Sequence, residues 1–282
     1  VIPSLCRGFE VYDNPFTYDS TFASFYALAI GFSVDPYDKE ELRFTYSESD
    51  NFKVLPIMPA VLGQATSLFE VLGKCPGLPE YNHMMLLHGE QRIEILQPLP
   101  QSASGRARAT LIDVQDKKSG ALIILETKHI LDDGTHIANS IYKLFIKGIG
   151  GFNDPGFYDN RLTPVPKRQP DQVHSEVTRT NQAVIYQLTG DRNPLHLLKD
   201  KAVSGGFHIP IMHGLCFMGF GFKAVLKHLL SYDVGRVRTV SVRFTSSVFP
   251  GETLITEMWS EGTQIIFTIK TRERGKQACQ AV

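Results

Sequence analysis

The chain has 282 residues, of which 43% are hydrophobic and 21% charged, and its formal net charge at pH 7 is +0. This composition is typical of a folded globular protein that forms one large domain or two of ordinary size. The balanced charge excludes a protein that binds nucleic acid or an anionic membrane by general electrostatic attraction. An anionic ligand would need basic side chains placed at its own site.

Sequence features that would indicate disulfides, a membrane span or secretion are not visible. The cysteines (Cys6, Cys75, Cys216 and Cys279) are widely spaced, which predicts free thiols in a reducing compartment. The longest apolar run, 209–225, is interrupted by charged and glycine residues, so we expect no membrane insertion. Neither a secretory signal nor an S-K-L-type terminal address can be recognised.

The first half of the chain predicts one helix and then a series of antiparallel strands. The run PIMPAVLGQATSLFEVLG, which begins at Pro56, is largely apolar and predicts a long buried helix. Alternating, β-branched segments then predict strands, with turns at 118–120 and 132–134. These strands are predicted at 92–96, 106–114, 121–130 and 136–146.

The second half repeats this pattern. PIMHGLCFMGFGFKAVLKHLL begins at Pro210 and predicts another long apolar helix, followed by strands at 238–244, 252–259 and 264–271 with a turn at Glu261-Gly262. The repetition predicts an α+β fold of two units, each a sheet wrapped around a central helix. We predict an N-terminal repeat over 1–150, a Gly- and Pro-rich linker over 151–170, and a C-terminal repeat over 171–282.

One motif in the second half carries groups suited to acid/base chemistry. GDRNPLH places Asp191, Asn193 and His196 close together on a turn. Asp and His can hold and release a proton on a bound water when their surroundings tune them. The following IPIMHG predicts a helix start at Gly214, whose free N–H could stabilise a developing oxyanion.

The corresponding positions in the first half lack these groups. FYALAIGFSVDP, at 25–36, parallels the motif segment 185–196 but has SVDP where the second half has RNPLH. Pro59 stands where the second half has His213. The repetition therefore predicts a single active site per chain.

The motif resembles the hydratase 2 motif of the MaoC-like family, the (R)-specific enoyl-CoA hydratases. The segments 86–100, 114–123, 179–196 and 242–254 also resemble the hydratase part of the peroxisomal multifunctional enzymes type 2. This resemblance covers most of the chain and implies a double hot-dog fold, with the N-terminal repeat accommodating the acyl chain. It implies an acyl-CoA substrate with no other cofactor, a homodimer and a peroxisomal location.

The same resemblance implies roles for particular residues. Asp191 and His196 would hold the water that adds to trans-2-enoyl-CoA, Asn193 would orient them, and Gly214 would polarise the thioester carbonyl. The remaining residues would contact substrate: His88, Gly89, Lys117, Arg192, Pro194, Leu195, His213 and Phe244. Lys117 departs from the family pattern, because Lys118 follows it where a glycine is expected.

Other interpretations of these residues remain open. Asp-Arg-Asn-Pro is also a common turn sequence, and His213-Gly214 could simply begin a buried helix that packs closely. His196, His208 and His213 have no common zinc-site spacing, so we predict no metal site. The alternative functions are a hot-dog acyl-CoA thioesterase and a non-catalytic acyl-CoA-binding module.

Overall fold

The computed structural model describes residues 1–64, 68–159 and 161–282. Its central feature is a single antiparallel sheet of ten strands. The first five strands are β1 Glu10–Tyr18, β2 Leu86–Ile95, β3 Ala103–Asp116, β4 Gly120–Leu131 and β5 His136–Lys147. The last five are β6 Gln172–Val177, β7 Thr239–Phe244, β8 Thr253–Glu261, β9 Gln264–Thr271 and β10 Gln277–Ala281.

The strand order shows two repeats that meet in the middle of the sheet. The order is β1-β3-β4-β5-β2-β7-β10-β9-β8-β6, so each half runs from its first strand at the edge to its second strand at the centre. The central pair, β2 and β7, aligns Glu90 with Arg243 and Glu94 with Thr239. The double hot-dog prediction is confirmed, and the inner edges of the two repeats are paired with each other within one chain.

The helices are short except for one. They are α1 Pro3–Cys6, α2 Ser20–Ala29, α3 Lys39–Thr45, α4 Leu68–Leu72, α5 Gln182–Tyr186, α6 Lys199–Ser204 and α7 Gly214–Leu229. The 3₁₀ turns are Met58–Val61, His83–Met85, Gln187–Thr189, Pro194–His196 and Val234–Arg236. In the described residues no helix is long and apolar enough to cross a membrane.

Helix α7 is the buried centre of the second repeat. Its residues from Leu215 to Leu226 are all buried, including Lys223, which donates to Glu176 at 2.6 Å and so satisfies its charge. A Cβ on Gly221 would lie 2.7 Å from Phe267 and from Ile269, so the glycine allows the sheet to approach closely. Lys227 and His228 in the last turn suit the negative end of the helix dipole. The helix predicted from Pro210 is therefore present, beginning at Gly214.

The long helix predicted from Pro56 is wrong. The chain forms a 3₁₀ turn at Met58–Val61 and continues through Leu62 to Gln64 without helical structure, while α4 covers only Leu68–Leu72. Residues 65–67 of the predicted helix lie outside the described residues. The segment is nevertheless buried, because Met58, Ala60 and Leu62 belong to the main core. Its apolar sequence therefore reflected burial rather than helix formation.

The strands and turns predicted from the sequence are present, and three strands were missed. The predicted turns coincide with the β3–β4, β4–β5 and β8–β9 connections, with Lys118 at φ 63° and Gly134 at φ 87°. The missed strands are β1, β6 and β10. Between β5 and β6, described residues form no helix or strand, and Asp113 anchors this segment by accepting from the N–H groups of Phe157 and Tyr158, each at 2.9 Å.

Candidate active site

The GDRNPLH motif forms a loop that its own side chains hold in shape. Gly190 ends the preceding 3₁₀ turn with φ 129°, a conformation that favours glycine. The carboxylate of Asp191 accepts from the N–H of Asn193 at 3.1 Å, and the Asn193 amide oxygen accepts from the N–H of Leu195 at 3.0 Å. The Asn193 contact begins the turn Pro194–His196. Asn193 therefore shapes the backbone that presents Asp191 and His196.

His196 has one ring nitrogen fixed and one available. Its Nδ1 lies 2.9 Å from the carbonyl oxygen of Ile211, and because a carbonyl only accepts, Nδ1 carries the proton in the neutral ring. The lone pair is then on Nε2. Burial lowers the pKa of His196, although the charge of Asp191 opposes this shift. The ring is consequently neutral near pH 7 and able to accept a proton.

His213 lies directly against His196. The ring centres are 3.8 Å apart with planes tilted by 31°, and Tyr186 packs on His213 at 4.9 Å. The Nε2 of His213 lies 3.1 Å from the backbone carbonyl oxygen of Asp191. Burial, followed by the neighbouring His196, lowers the pKa of His213 to about 3. Both imidazoles are therefore neutral in the working range of pH.

The start of helix α7 supplies the second component of the site. Gly214 is its first residue, and no side chain caps this end. A Cβ on Gly214 would lie 3.0 Å from the ring of Phe244, so a side chain here would press on that ring. Free N–H groups at a helix start can donate to an oxyanion, and the helix dipole adds to the effect. Gly214 therefore fits the predicted role of carbonyl-polarising donor.

The first repeat contributes His88 through the central strand pair. A bulge in β2 between His88 and Glu90 includes Gly89, and it alters the direction of the strand at this point. The His88 ring lies 5.2 Å from the ring of Phe244 and 5.6 Å from that of Tyr142. Burial lowers the pKa of His88 to about 4, with the charge of Asp191 acting in the opposite direction. The site thus lies where the two repeats meet.

The cluster could be considered for a metal ion on distance alone. One ligand atom from each of Asp191, His196 and His213 lies within 4.8 Å of the others. However, imidazole lone pairs lie in the ring plane, and two rings tilted by only 31° at 3.8 Å do not direct them to one point. The geometry therefore favours separate hydrogen-bonding groups over a chelating pair.

An open groove adjoins the GDRNPLH loop and has a volume of about 380 Å³. Its wall combines apolar side chains of the first repeat with Gln64, Gly190 and Arg192. The complete lining is Pro15, Phe16, Thr17, Phe22, Val61, Leu62, Gly63, Gln64, Gly190 and Arg192. Val61, Leu62, Gly63 and Gln64, which follow the 3₁₀ turn without helical structure, form part of this wall.

The predicted substrate-contacting residues fall into two groups. The loop residues Arg192, Pro194 and Leu195 lie in the same loop as Asp191 and His196, and His88, Gly89, His213 and Phe244 converge from the two repeats. Lys117 instead lies exposed in the β3–β4 turn, where its N–H donates to the carbonyl of Gly120 at 2.9 Å. Within residues 1–64, 68–159 and 161–282, no hydrogen bond or ion pair joins Lys117 to the GDRNPLH loop.

Two tyrosines at the site were not predicted from the sequence. Tyr186 is fully buried and packs on His213, and Tyr142 packs on His88 from the first repeat. The charge of Asp191 contributes to raising the pKa of both hydroxyls, after the larger effect of burial. Tyr186 opens the motif segment and could have been noted for that reason, whereas no local signal marks Tyr142.

A double hot dog with a partly buried carboxylate–imidazole pair near a helix start defines a class of protein, a MaoC-like dehydratase. The family models agree: residues 16–148 match the MFE-2 hydratase 2 N-terminal domain, and residues 161–282 match the MaoC like domain. A solved MaoC-like dehydratase from Phytophthora capsici superposes with a TM-score of 0.87 at 33% identity, covering 99% of this chain and 96% of that one.

Curated relatives give the same family. "Enoyl-CoA hydratase 2, peroxisomal" from Arabidopsis thaliana is 40% identical over 94% of this chain and 89% of its own length. "Peroxisomal multifunctional enzyme type 2" from Mus musculus is 38% identical over 89% of this chain, which spans 34% of that protein. The chain belongs to the MaoC-like enoyl-CoA hydratase 2 family and is a hydro-lyase.

Proposed function

We propose that the chain adds water reversibly to trans-2-enoyl-CoA and forms (3R)-3-hydroxyacyl-CoA, as a step of fatty-acid β-oxidation. The observation that carries this proposal is the placement of Asp191 and His196, whose polar atoms lie within 4.8 Å of each other near the start of α7. One water that makes hydrogen bonds of about 2.8 Å to each group can span such a distance. The curated relatives named enoyl-CoA hydratase 2 support the substrate class.

In the proposed mechanism, the N–H of Gly214 donates to the thioester carbonyl and draws electron density from the double bond. The water between Asp191 and His196 attacks the β-carbon, and the neutral His196 accepts its proton through Nε2. The same pair returns a proton to the α-carbon, so H and OH are added from one face. General acid/base help contributes on the order of 10²–10⁴-fold, and one oxyanion donor on the order of 10²–10³-fold.

The proposal assigns a binding role to the first repeat, 1–150, and catalysis to the second, 171–282. His88, Gly89 and Phe244 would contact the substrate where the repeats meet, with Arg192, Pro194 and Leu195 on the loop side. His213 is 1% exposed, and its side chain would therefore act on the loop and not on the substrate. Lys117 lies exposed in the β3–β4 turn, so its ammonium group would interact only with a phosphate group of CoA, as a point charge. No metal or prosthetic group is needed, since CoA arrives as part of the substrate.

The test is an assay with trans-2-decenoyl-CoA that follows the absorbance of the conjugated thioester and determines the product by chiral analysis. Loss of the conjugated alkene with formation of the (3R)-hydroxyacyl product supports the proposal. Release of free thiol instead would indicate a thioesterase. Tight binding with neither change would indicate an acyl-CoA-binding module.

The pH dependence of this activity follows from His196. The neutral ring is the form that accepts a proton, and burial places its pKa below the ordinary value of 6.5. We therefore expect kcat to stay high as the pH falls through 6.5 and to decline only in more acidic buffer. A profile of kcat against pH checks this, and an acid limb centred above 6.5 would contradict it.

We also propose a peroxisomal homodimer, which the names of the relatives support for the location. The inner strand edges β2 and β7 are already paired within the chain, so two copies would have to associate through other surfaces. Sedimentation equilibrium measures the oligomeric state, and a fluorescent fusion in cells reports the location. A monomer at micromolar concentration, or diffuse fluorescence, would contradict the respective proposal.

A further inference from the structure

We infer that His213 is a positioning residue: it donates a hydrogen bond that holds the catalytic loop against the start of helix α7. This inference rests on the proposed hydration reaction for its effect on rate. It concerns the polar contact of His213 with Asp191 rather than any contact with substrate.

The hydrogen bond assigns the tautomer of His213. Its Nε2 lies 3.1 Å from the carbonyl oxygen of Asp191, which can only accept, so Nε2 must carry the proton. The other nitrogen, Nδ1, is buried and has no hydrogen-bond partner within the described ranges. His213 is 1% exposed, so water cannot replace the bond if it is lost. Burial also keeps the ring neutral, because it lowers the pKa to about 3.

The contact joins the two components of the proposed site. The accepting carbonyl belongs to Asp191 itself, and His213 is the residue directly before Gly214. A change at this bond would therefore alter the distance between the acid/base pair and the oxyanion donor. Misplacing reacting groups by about 1 Å can reduce a rate on the order of 10²-fold, even when every group is present.

The ring of His213 also packs against two other rings. Tyr186 lies at 4.9 Å and His196 at 3.8 Å between ring centres, which restricts the direction of the N–H. The sequence repeat offers a natural contrast, because Pro59 stands at the parallel place in the first half and cannot donate from its side chain. That half carries no acid/base pair.

Two substitutions separate the hydrogen bond from the ring packing. His213→Phe keeps a planar ring between Tyr186 and His196 but removes the donor, while His213→Gln supplies an amide donor near the position of Nε2. We expect His213→Phe to lower kcat about 10-fold with KM changed less than about twofold, from the loss of one buried hydrogen bond. His213→Gln should recover most of kcat. Equal kcat in both variants, or a near-native kcat in His213→Phe, would overturn the inference.

His228→Phe is the matched control. His228 lies at the other end of the same helix and also contacts a histidine ring, that of His174 at 5.0 Å. We expect it to leave kcat unchanged. If His228→Phe lowers kcat as much as His213→Phe does, the effect belongs to the helix as a whole and the inference fails.

Two measurements do not depend on activity and so separate this inference from the proposed function. Nitrogen-15 NMR should show wild-type His213 as the neutral Nε2–H tautomer between about pH 5 and pH 8; the Nδ1–H tautomer would overturn the assignment. Amide hydrogen exchange should accelerate at residues 191–196 in His213→Phe while the middle of α7 stays protected. Equal acceleration in both regions would indicate general destabilisation instead. If the wild-type chain hydrates no enoyl-CoA, the proposed function is wrong. The NMR tautomer and the amide exchange would still show whether His213 holds the loop.

Discussion

The two repeats of the sheet have the same strand order but enclose different central segments. The second repeat surrounds the continuous helix α7, Gly214–Leu229, whereas the first surrounds the 3₁₀ turn Met58–Val61 and the irregular residues up to Gln64. A helix satisfies its own backbone groups, so the sheet around α7 can be apolar. An irregular segment cannot, and its buried carbonyl groups need donors from elsewhere.

The sheet of the first repeat provides those donors. The hydroxyl of Tyr142 donates to the carbonyl of Ala60 at 3.0 Å, and the amide of Asn14 donates to the carbonyl of Gly63 at 3.1 Å. Gln64 also donates to the Tyr142 hydroxyl at 3.2 Å. Buried carbonyl groups of the irregular segment thus obtain donors from side chains of the first repeat.

The central segments of the two repeats also suit different functions. A straight helix gives a fixed start, which suits the N–H of Gly214 as a donor to a developing charge. The interrupted segment leaves the groove lined by Val61, Leu62 and Gly63, which suits a long apolar ligand. Each repeat thus has a feature that the other lacks, and the site forms where they join.

The largest expected effect tests whether only the second repeat carries out chemistry. Asp191→Asn or His196→Gln should reduce kcat on the order of 10²–10⁴-fold, because each removes one member of the acid/base pair. Asp35→Asn, in the parallel segment of the first repeat, should leave kcat unchanged, since its carboxylate accepts from the N–H of Tyr37 at 2.9 Å in a local turn. Steady-state kinetics with circular dichroism as a folding control provide the comparison. A folded Asp191→Asn variant with near-native kcat would exclude Asp191.

The second largest effect is on stability. It concerns one aspartate in each repeat that helps to hold the segment between the two repeats. The side chain of Asp113, in the first repeat, is 0% exposed and contacts Arg7 at 3.0 Å. Asp171, in the second, binds Arg168 at 2.6 Å but is exposed. Asp113→Asn should lower the free energy of unfolding by about 2 kcal/mol at pH 7, because charged hydrogen bonds in a buried place are lost. Asp171→Asn should have a smaller effect. Urea unfolding of both variants measures this difference.

The Asp113 effect should also depend on pH. Burial would raise the pKa of Asp113, but donors from Tyr158, Gln115, Phe157 and Arg7 outweigh it and lower the pKa below 3.8. A group with a lowered folded pKa stabilises the protein above its unfolded pKa and loses that contribution as the pH falls through the folded value. The difference in unfolding free energy between wild type and Asp113→Asn should therefore be largest above pH 3.8 and decrease below it. A difference that increases on acidification would contradict this explanation.

The smallest effect comes from a pair of matched tyrosines. Tyr142→Phe should cost about 1 kcal/mol of unfolding free energy, because the buried carbonyl of Ala60 loses a donor. Tyr186→Phe should cost less, since within the described ranges its buried hydroxyl has no hydrogen-bond partner. Thermal melts of the two variants under identical conditions compare them. The reverse order would mean that the first repeat does not depend on its polar inner face.

The sequence predicted the long strands inside the sheet better than the short or edge strands. β3, β4, β5, β8 and β9 lie inside the sheet and carry long β-branched segments, whereas the missed β1 and β6 are edge strands. β1 contains Pro15 and β6 has exposed residues such as Val177, so neither has the alternation of a strand covered on one face. β10 has only five residues, with two glutamines.

The shape of the GDRNPLH loop follows from local sequence, whereas the approach of His88 and Phe244 was expected only from the family resemblance. Turn-forming residues place Asp191 and His196 through local contacts, so their proximity could be inferred from spacing alone. The approach of His88 depends on the β2–β7 pairing between distant parts of the chain, and the motif gave no sign of it. The helix predicted from Pro56 failed because apolar composition reports burial and not backbone conformation.

The central strand pair has a consequence for the time course of folding. β2 and β7 align Glu90 with Arg243, and these residues are 153 positions apart in the chain. The β3–β4–β5 and β8–β9 hairpins close over short loops, so we expect them to form early, and we expect contacts over such a separation to form slowly. Since His88 and Phe244 lie on this pair, the site is complete only when the two repeats have docked. During refolding, far-ultraviolet circular dichroism should recover first and enzymatic turnover last.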